Sequence, residues 1–312
     1  MRKLFFVCLL FTQTLVAEDL AFISNQLDNS VSVIKVADAS IVATIAVPGK
    51  PAGVAINHVK HQAYISTPEQ GGFAIVDIPT LTLTHQIKVG GASLGICVDH
   101  QGQRIFVADW YENTVAVFDS VSLQRLQTIT VGKSPSGMVI SPDDKWLYVA
   151  NRMDDSISQI DLKKYSIRNT TKVGAHPFGI ALTSDGSKLF TANVESDNVT
   201  VLEAANLKRV ASINVGARPY ALAITANRKH VFVTNQDDST LSVIDADKNQ
   251  QIATIDVGDK PEGISYSSVS QRLLVANWMD STVSVIDPIS FVTLTTIKTG
   301  EGSRAFGEFI SH

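Results

Sequence analysis

Two cysteines in 312 residues exclude a disulfide-stapled scaffold and any multi-cysteine zinc or iron–sulfur centre. Neither sign of charge prevails. The 26 Lys and Arg face 30 Asp and Glu, a formal net charge of -4, so no global attraction to nucleic acid or to an anionic membrane is expected. A Cys-x-x-Cys-His motif is missing, which excludes a covalently attached c-type haem. So are His-Glu-x-x-His, a phosphate loop and Gly-x-Ser-x-Gly. The acidic pairs Asp154-Asp155 and Asp237-Asp238 lack the spacing of a calcium loop and read as turn formers. What the chain does have is 45% hydrophobic and 18% charged residues, the composition of a packed globular protein rather than a disordered one.

The first residues stand apart. Met1-Arg2-Lys3 is a positive start, Leu4 to Phe11 an apolar stretch, and Thr12 to Ala17 a more polar run ending in a small residue. This pattern predicts a secretory signal peptide over 1–17, leaving 18–312 as the mature chain, periplasmic or secreted. The apolar run is too short to span a bilayer. Removing Cys8 with the signal leaves Cys97 alone and no intramolecular disulfide.

The informative feature is self-similarity at a fixed period. Steps of 42 residues from Ala21-Phe22-Ile23-Ser24-Asn25 land on Ile105-Phe106-Val107-Ala108-Asp109, Leu147-Tyr148-Val149-Ala150-Asn151 and Val231-Phe232-Val233-Thr234-Asn235. Seven copies follow one another without insertion. Each predicts four short strands: the Phe-Val-Thr-Asn-like run, a period-two run such as Thr282 to Asp287, a third such as Ile252 to Val257, and a short apolar fourth such as Gly179 to Leu182. Gly90, Gly132, Gly174, Gly216, Gly258 and Gly300 follow the third strand, where a turn with positive φ is expected. Four strands per repeat and seven repeats predict an all-β protein, a seven-bladed β-propeller. The fourth strand opens with Gly53, Gly95, Gly137, Gly179, Ala221, Gly263 or Ala305, residues small enough for strands crowded around an axis, so it is assigned as innermost. The chain starts with the second strand of a blade and ends in an innermost one. The C-terminal strand, 304–310, should therefore complete the blade begun by residues 21–48 and close the ring.

Leu147-Tyr148-Val149-Ala150-Asn151, Val231-Phe232-Val233-Thr234-Asn235, the Ser-Val-Ile-Asp runs and the Val-Gly-x-x-Pro-x-Gly turns resemble the YVTN family of β-propeller proteins. The resemblance covers residues 20 to 311 and implies an exported seven-bladed propeller. Relatives of that family include surface-layer and periplasmic binding proteins, redox-enzyme subunits and a haem-binding propeller. The matching motifs build the scaffold, so no catalytic residue is carried over and function must be argued from a site.

Departures from the repeat on one face mark that site. By resemblance to WD-repeat topology, the loop before the innermost strand and the loop after the Asn share a face. The first holds Lys50, His176, Arg218 and Lys260 before the recurrent Pro, and Phe178, Tyr220 and, at the equivalent place, Arg304 after it. The second presents Trp110-Tyr111, Arg152-Met153 and Trp278-Met279. Together they predict a basic, aromatic and Met-lined rim for an anionic small molecule or an acidic protein segment, since guanidinium groups fork onto carboxylates and rings supply apolar area. Arg218 and Arg304, with Tyr220 and Trp278, are expected to contribute most. His58, His61 and His100 fall in turns of the opposite face and read as solvated turn residues; His85 and His230 read as strand-edge residues. The expectation is a non-catalytic, monomeric binding or interaction propeller without a resident cofactor or metal. A redox or cofactor-maturation component holding a non-covalent haem, quinone or copper on the same rim is the alternative. A lactonase-like hydrolase rests on fold analogy alone.

Overall fold

The computed structural model describes residues 19–311, so the predicted signal peptide lies outside the described residues. Seven antiparallel sheets make seven blades. Six are continuous in sequence, starting at Gly53, Ser93, Pro135, Pro177, Pro219 and Pro261 and numbered blades 2 to 7. Within each, the short apolar strand is innermost, and the remaining three follow outward in chain order. The outermost strands are largely exposed, as in Ser40–Ala46 and Arg125–Thr130, whereas the middle two are almost wholly buried, as in Leu147 to Ala150. Their alternating side chains fill the spaces between neighbouring blades, for example Phe106, Val115 and Val117 of blade 3 against Leu147, Val149 and Ile160 of blade 4. Helix among the described residues is limited to two 3-10 turns, Pro68–Gln70 and Arg152–Asp154.

The ring closes as the repeat register predicts. Blade 1 consists of Leu20–Asn25, Ser30–Lys35 and Ser40–Ala46, and Ile310–Ser311 pairs antiparallel with Leu20 and Ala21. The closing strand is not a regular ladder. It touches the blade at the Asn25–Ser303 bridge and through the Arg304 N–H to the Ser24 carbonyl (2.8 Å). Between these contacts, Phe306–Gly307 lies parallel to Gly53 and Val54 of blade 2. The C-terminal segment therefore joins two blades. Phe309 and Ile310 are buried with Phe22 and Ile23 of blade 1.

The glycines opening the innermost strands are there for space. A Cβ on Gly53 would stand 2.8 Å from the carbonyl oxygen of Leu94, and one on Gly179 would meet the Tyr220 carbonyl and Ala221 Cα. Gly95 and Gly137 press in the same way on Ser136 and Phe178 of the following blades. The glycines after the outermost strands differ from expectation. Only Gly90 of the six has positive φ. At Gly132, Gly174, Gly216, Gly258 and Gly300, a Cβ would collide with the side chain of the Asn that ends the second strand of the following blade. Those Asn amides donate to Ser or Thr on the adjacent strand, as Asn151 does to Ser158 (2.9 Å), so they cannot swing away. The left-handed backbone sits two residues later, at Ser134, His176, Arg218 and Lys260, with φ between 52 and 55°.

Candidate functional site

The two loops expected to share a face are hydrogen-bonded to one another. The N–H groups of Trp110, Arg152, Val194, Gln236 and Trp278 donate to the carbonyls of Ala92, Ser134, His176, Arg218 and Lys260. The left-handed turns are then fixed to the neighbouring blade. Lys50 N–H donates to Asn29 Oδ1 (2.9 Å), His176 N–H to Asp155 Oδ1 (2.8 Å) and Arg218 N–H to Asp197 Oδ1 (2.8 Å). An Asn or Asp side chain thus offsets the cost of positive φ at a non-glycine residue. The rim residues project from a backbone that is stitched all the way round.

The cations on this rim fall into two groups. On blades 5 to 7 they form a ladder with acids. His176 Nδ1 lies 3.9 Å from Glu195, Arg218 Nη1 2.6 Å from Glu195, Arg218 Nε 3.8 Å from Asp237, and Lys260 Nζ 2.7 Å from Asp237. Deeper in, Arg304 is clamped on Glu262 and donates to the Tyr220 hydroxyl (3.1 Å), while Gln236 donates to Glu262 (2.8 Å). Burial opposes charge on both partners. It raises the Glu262 carboxyl, with Arg304 pulling the other way, whereas Glu262 and Tyr220 more than restore Arg304, whose guanidinium is held above its ordinary value. Tyr220 is pushed up to about 12 by its burial, with Glu262 adding to it.

Arg152 is different. Its guanidinium lies over the rings of Trp110 (5.9 Å) and Phe178 (5.8 Å). No carboxylate among the described residues lies within ion-pair distance of it, and its side chain makes no hydrogen bond. Burial lowers its pKa and Arg218 adds to that, while Tyr220 and Glu195 pull the other way. A half-buried charge without an ion pair carries a desolvation cost, which the two ring faces offset in part. Phe178 itself is buried, stacked on Tyr220 (centroids 3.9 Å apart, 27° between planes) and edge-on to Phe306 (5.3 Å). With Ala52, Leu94 and Val194, these rings form an apolar layer across the axis. Lys50 has only a long contact, Nζ to the Leu27 carbonyl at 3.5 Å. Trp278 is half-buried and donates from Nε1 to Gln26 Oε1 (3.2 Å), whereas Tyr111, Met153 and Met279 are exposed.

The predicted rim residues therefore surround one end of the axis, but the ranking among them changes. Arg218 and Arg304, expected to lead, are already ion-paired; among the described residues Arg152 and Lys50 have no carboxylate within ion-pair distance, and of the two only Arg152 is packed on rings. Sequence reasoning found all the cations and missed their acidic partners. Glu195 and Asp237 stand in the same loops as Trp110-Tyr111, so the signal was present in the alignment of the repeats; Glu262 follows Pro261 just as Phe178 follows Pro177.

A cavity of about 340 Å³ opens on the opposite side of that layer. It runs between the innermost strands, with Cys97, Met138 and Tyr266 in its wall and His100 and Glu308 at its outer end. Nothing in the repeat comparison pointed to it, because its wall is made mainly by scaffold positions. The histidines on this face are not simply solvated. His100 Nδ1 lies 2.7 Å from Asp144 of blade 4, and His58 Nε2 3.2 Å from Glu308 of the closing segment, so both link separate parts of the ring. The Cys97 thiol is kept protonated by burial and by Asp99. No group of three or more His, Cys, Asp or Glu among the described residues could hold a metal ion.

Comparison with known proteins gives the fold and little more. Residues 121–206 match the family model described as "Lactonase, 7-bladed beta-propeller". No curated protein matches the chain. Among solved structures, hydrazine synthase of Kuenenia stuttgartiensis superimposes with a TM-score of 0.80 at 20% identity, over 86% of this chain and 92% of that one. A protein of unknown function from Desulfotomaculum acetoxidans gives 0.79 at 12% identity, over 92% and 99%. Dihydro-heme d1 dehydrogenase NirN, in complex with DHE, gives 0.70 at 12% identity, over 90% and 73%. The lactonase match spans the outer part of blade 3, all of blade 4 and most of blade 5, taking in Arg152, His176 and Phe178. Among the described residues no helix is long and apolar enough to cross a membrane.

Proposed function

We propose that this chain is an exported YVTN-type binding propeller, and that it takes an anionic group with an apolar neighbour at the rim around Arg152. The single observation that carries the reading is the unpartnered, half-buried guanidinium over Trp110 and Phe178. A carboxylate there would accept two N–H bonds from Arg152, and an attached ring or chain would cover the exposed part of Trp110. No bond-making step is proposed; the rim recognises and holds.

The test is calorimetric titration with biphenyl-4-carboxylate, a probe carrying both features. Binding to the unaltered protein, weakened by salt because exposed charges are screened over roughly 8–10 Å, is the expected result. Arg152→Gln should abolish it while Arg218→Ala reduces it only partly. Equal binding by Arg152→Gln would overturn the reading.

A second reading takes its support from the likeness to NirN in complex with DHE. The residues here do not match a cleft for a flat macrocycle. Phe178 and Tyr220 are 2% and 7% exposed and stacked on each other, so neither offers a ring face. His176, the one histidine of the rim, leans toward Glu195. Titration with haemin followed by absorbance decides the matter, a sharp shifted Soret band lost in His176→Ala favouring this second reading.

A further inference from the structure

The second residue after the strand-ending Asn, Asp or Thr occupies the same place in every blade, yet its chemistry alternates in blocks. It is Leu27, Tyr111, Met153 and Met279 in blades 1, 3, 4 and 7, and Glu69, Glu195 and Asp237 in blades 2, 5 and 6. The four apolar side chains are 48, 74, 53 and 57% exposed. Their backbone is pinned. The N–H groups of Leu27, Met153 and Met279 donate to the carbonyls of Glu301, Lys133 and Asp259, and that of Tyr111 to Asp109 Oδ1. Scaffold economy does not explain large apolar tips in water at a position that three other blades fill with acids. Rigidly displayed Tyr, Met and Leu around a cation are what a protein interface uses, because little ordering is left to be lost on binding.

We infer that this arc is a docking surface for a partner protein, which presents a carboxylate between large apolar side chains. The carboxylate goes to Arg152, next to Met153, and the flanking side chains rest on Tyr111, Met153, Leu27 and Met279. The inference rests on the Arg152 reading and names what carries the anion. Charge decides the occupant. The acids of blades 5 and 6 are paired with Arg218 and Lys260, and the exposed Glu69 of blade 2 stands at the far side of Tyr111, so the place for a partner's acid is the Met153 end of the arc, where Arg152 has no carboxylate within ion-pair distance. Four tips on four blades also span more of the ring than a small molecule covers. A second copy of this chain would set cation against cation.

The probe is a synthetic peptide with one central Glu flanked on both sides by Leu and Phe, measured by calorimetry beside its Gln counterpart and biphenyl-4-carboxylate. The Glu peptide should bind about tenfold tighter than the small carboxylate, a difference worth about 1.4 kcal/mol. Replacing Leu27, Tyr111, Met153 and Met279 together by Ser should remove the peptide's tenfold advantage, whatever smaller change the small carboxylate shows. Arg152→Gln should lose both. Hydroxyl-radical footprinting on the unaltered protein reads the same contact without variants, with Met153 and Met279 protected by the Glu peptide. Peptide affinity equal to the small carboxylate's, or an arc variant that binds the peptide fully, overturns the docking surface and leaves the Arg152 reading standing. Loss of neither ligand in Arg152→Gln overturns both. Concentration-dependent dimers in sedimentation that the Ser variant abolishes would assign the arc to a second copy instead.

Discussion

Arg152 and Arg304 lie on the same rim and touch the same layer of rings, yet they differ in kind, and not in the way the sequence suggests. Arg304 reaches Glu262 and Tyr220, with Gln236 completing the cluster. Arg152 meets only ring faces. A buried charge that is paired belongs to the fold, because removing either partner strands the other. A half-buried charge left open contributes nothing to the fold that a neutral residue would not. The difference separates an arginine tied into the fold from one that the proposed function uses, without reference to any relative.

Removing the strand that carries Arg304 tests the comparison most severely. Truncation after Ser303 takes away Phe306, Phe309 and Ile310, all buried, each worth about 1.5–3 kcal/mol, so the loss should be about 5 kcal/mol or more. Urea unfolding would show it, together with an exposed inner edge on blade 1. A truncated chain melting like the full one would mean that ring closure is ornamental. Gly179→Val comes next. Its side chain would press on the Tyr220 carbonyl and Ala221 Cα, backbone atoms that cannot step aside, so about 3 kcal/mol should be lost in thermal melts read beside a surface control.

Arg304→Ala should cost about 3 kcal/mol, because Glu262 is left buried and unpaired, and Arg304→Ala with Glu262→Gln should regain part of it. Arg152→Gln should leave stability within about 0.5 kcal/mol, while abolishing binding of the carboxylate probe. If the two arginine variants melt alike, the distinction fails.

The smallest effect is on the opposite face. Asp143 is held at about 2 by Lys145 and Ser141, and Asp185 at about 2 by Thr183 and Ser187. Their folded values lie below the ordinary 3.8, so the stability they contribute is complete above 3.8 and lost as pH falls through 2. Asp143→Asn with Asp185→Asn should flatten the acid limb of the melting curve in that window and leave it unchanged at neutral pH. Both carboxylates are exposed and screened, so the change should be slight.

Legibility followed locality. A strand's alternation, a turn's Asn and a glycine's lack of a side chain act within a few residues, and repetition in register added them up to blades and a closure. Gly132 and its equivalents show the limit. The residue type was read correctly, but the reason, an Asn from a strand far along the chain pressing on the Cα, is a contact that spacing does not encode. Glu195 and Asp237 show it again, since their significance depends on which blade's cation swings toward them.

By itself the sequence determined that the chain is a ring of seven four-stranded blades closed by its own C-terminal strand. A 42-residue period of four strands kept without insertion over seven copies, with small residues at the innermost position, is what a closed seven-bladed ring needs to bury every blade face. Only the tertiary structure decided which rim cations are free. Pairing depends on distances of a few ångströms between side chains from different blades, and Arg152 has no ion pair because its guanidinium lies on Trp110 and Phe178 while Glu195 of the next blade is held by Arg218.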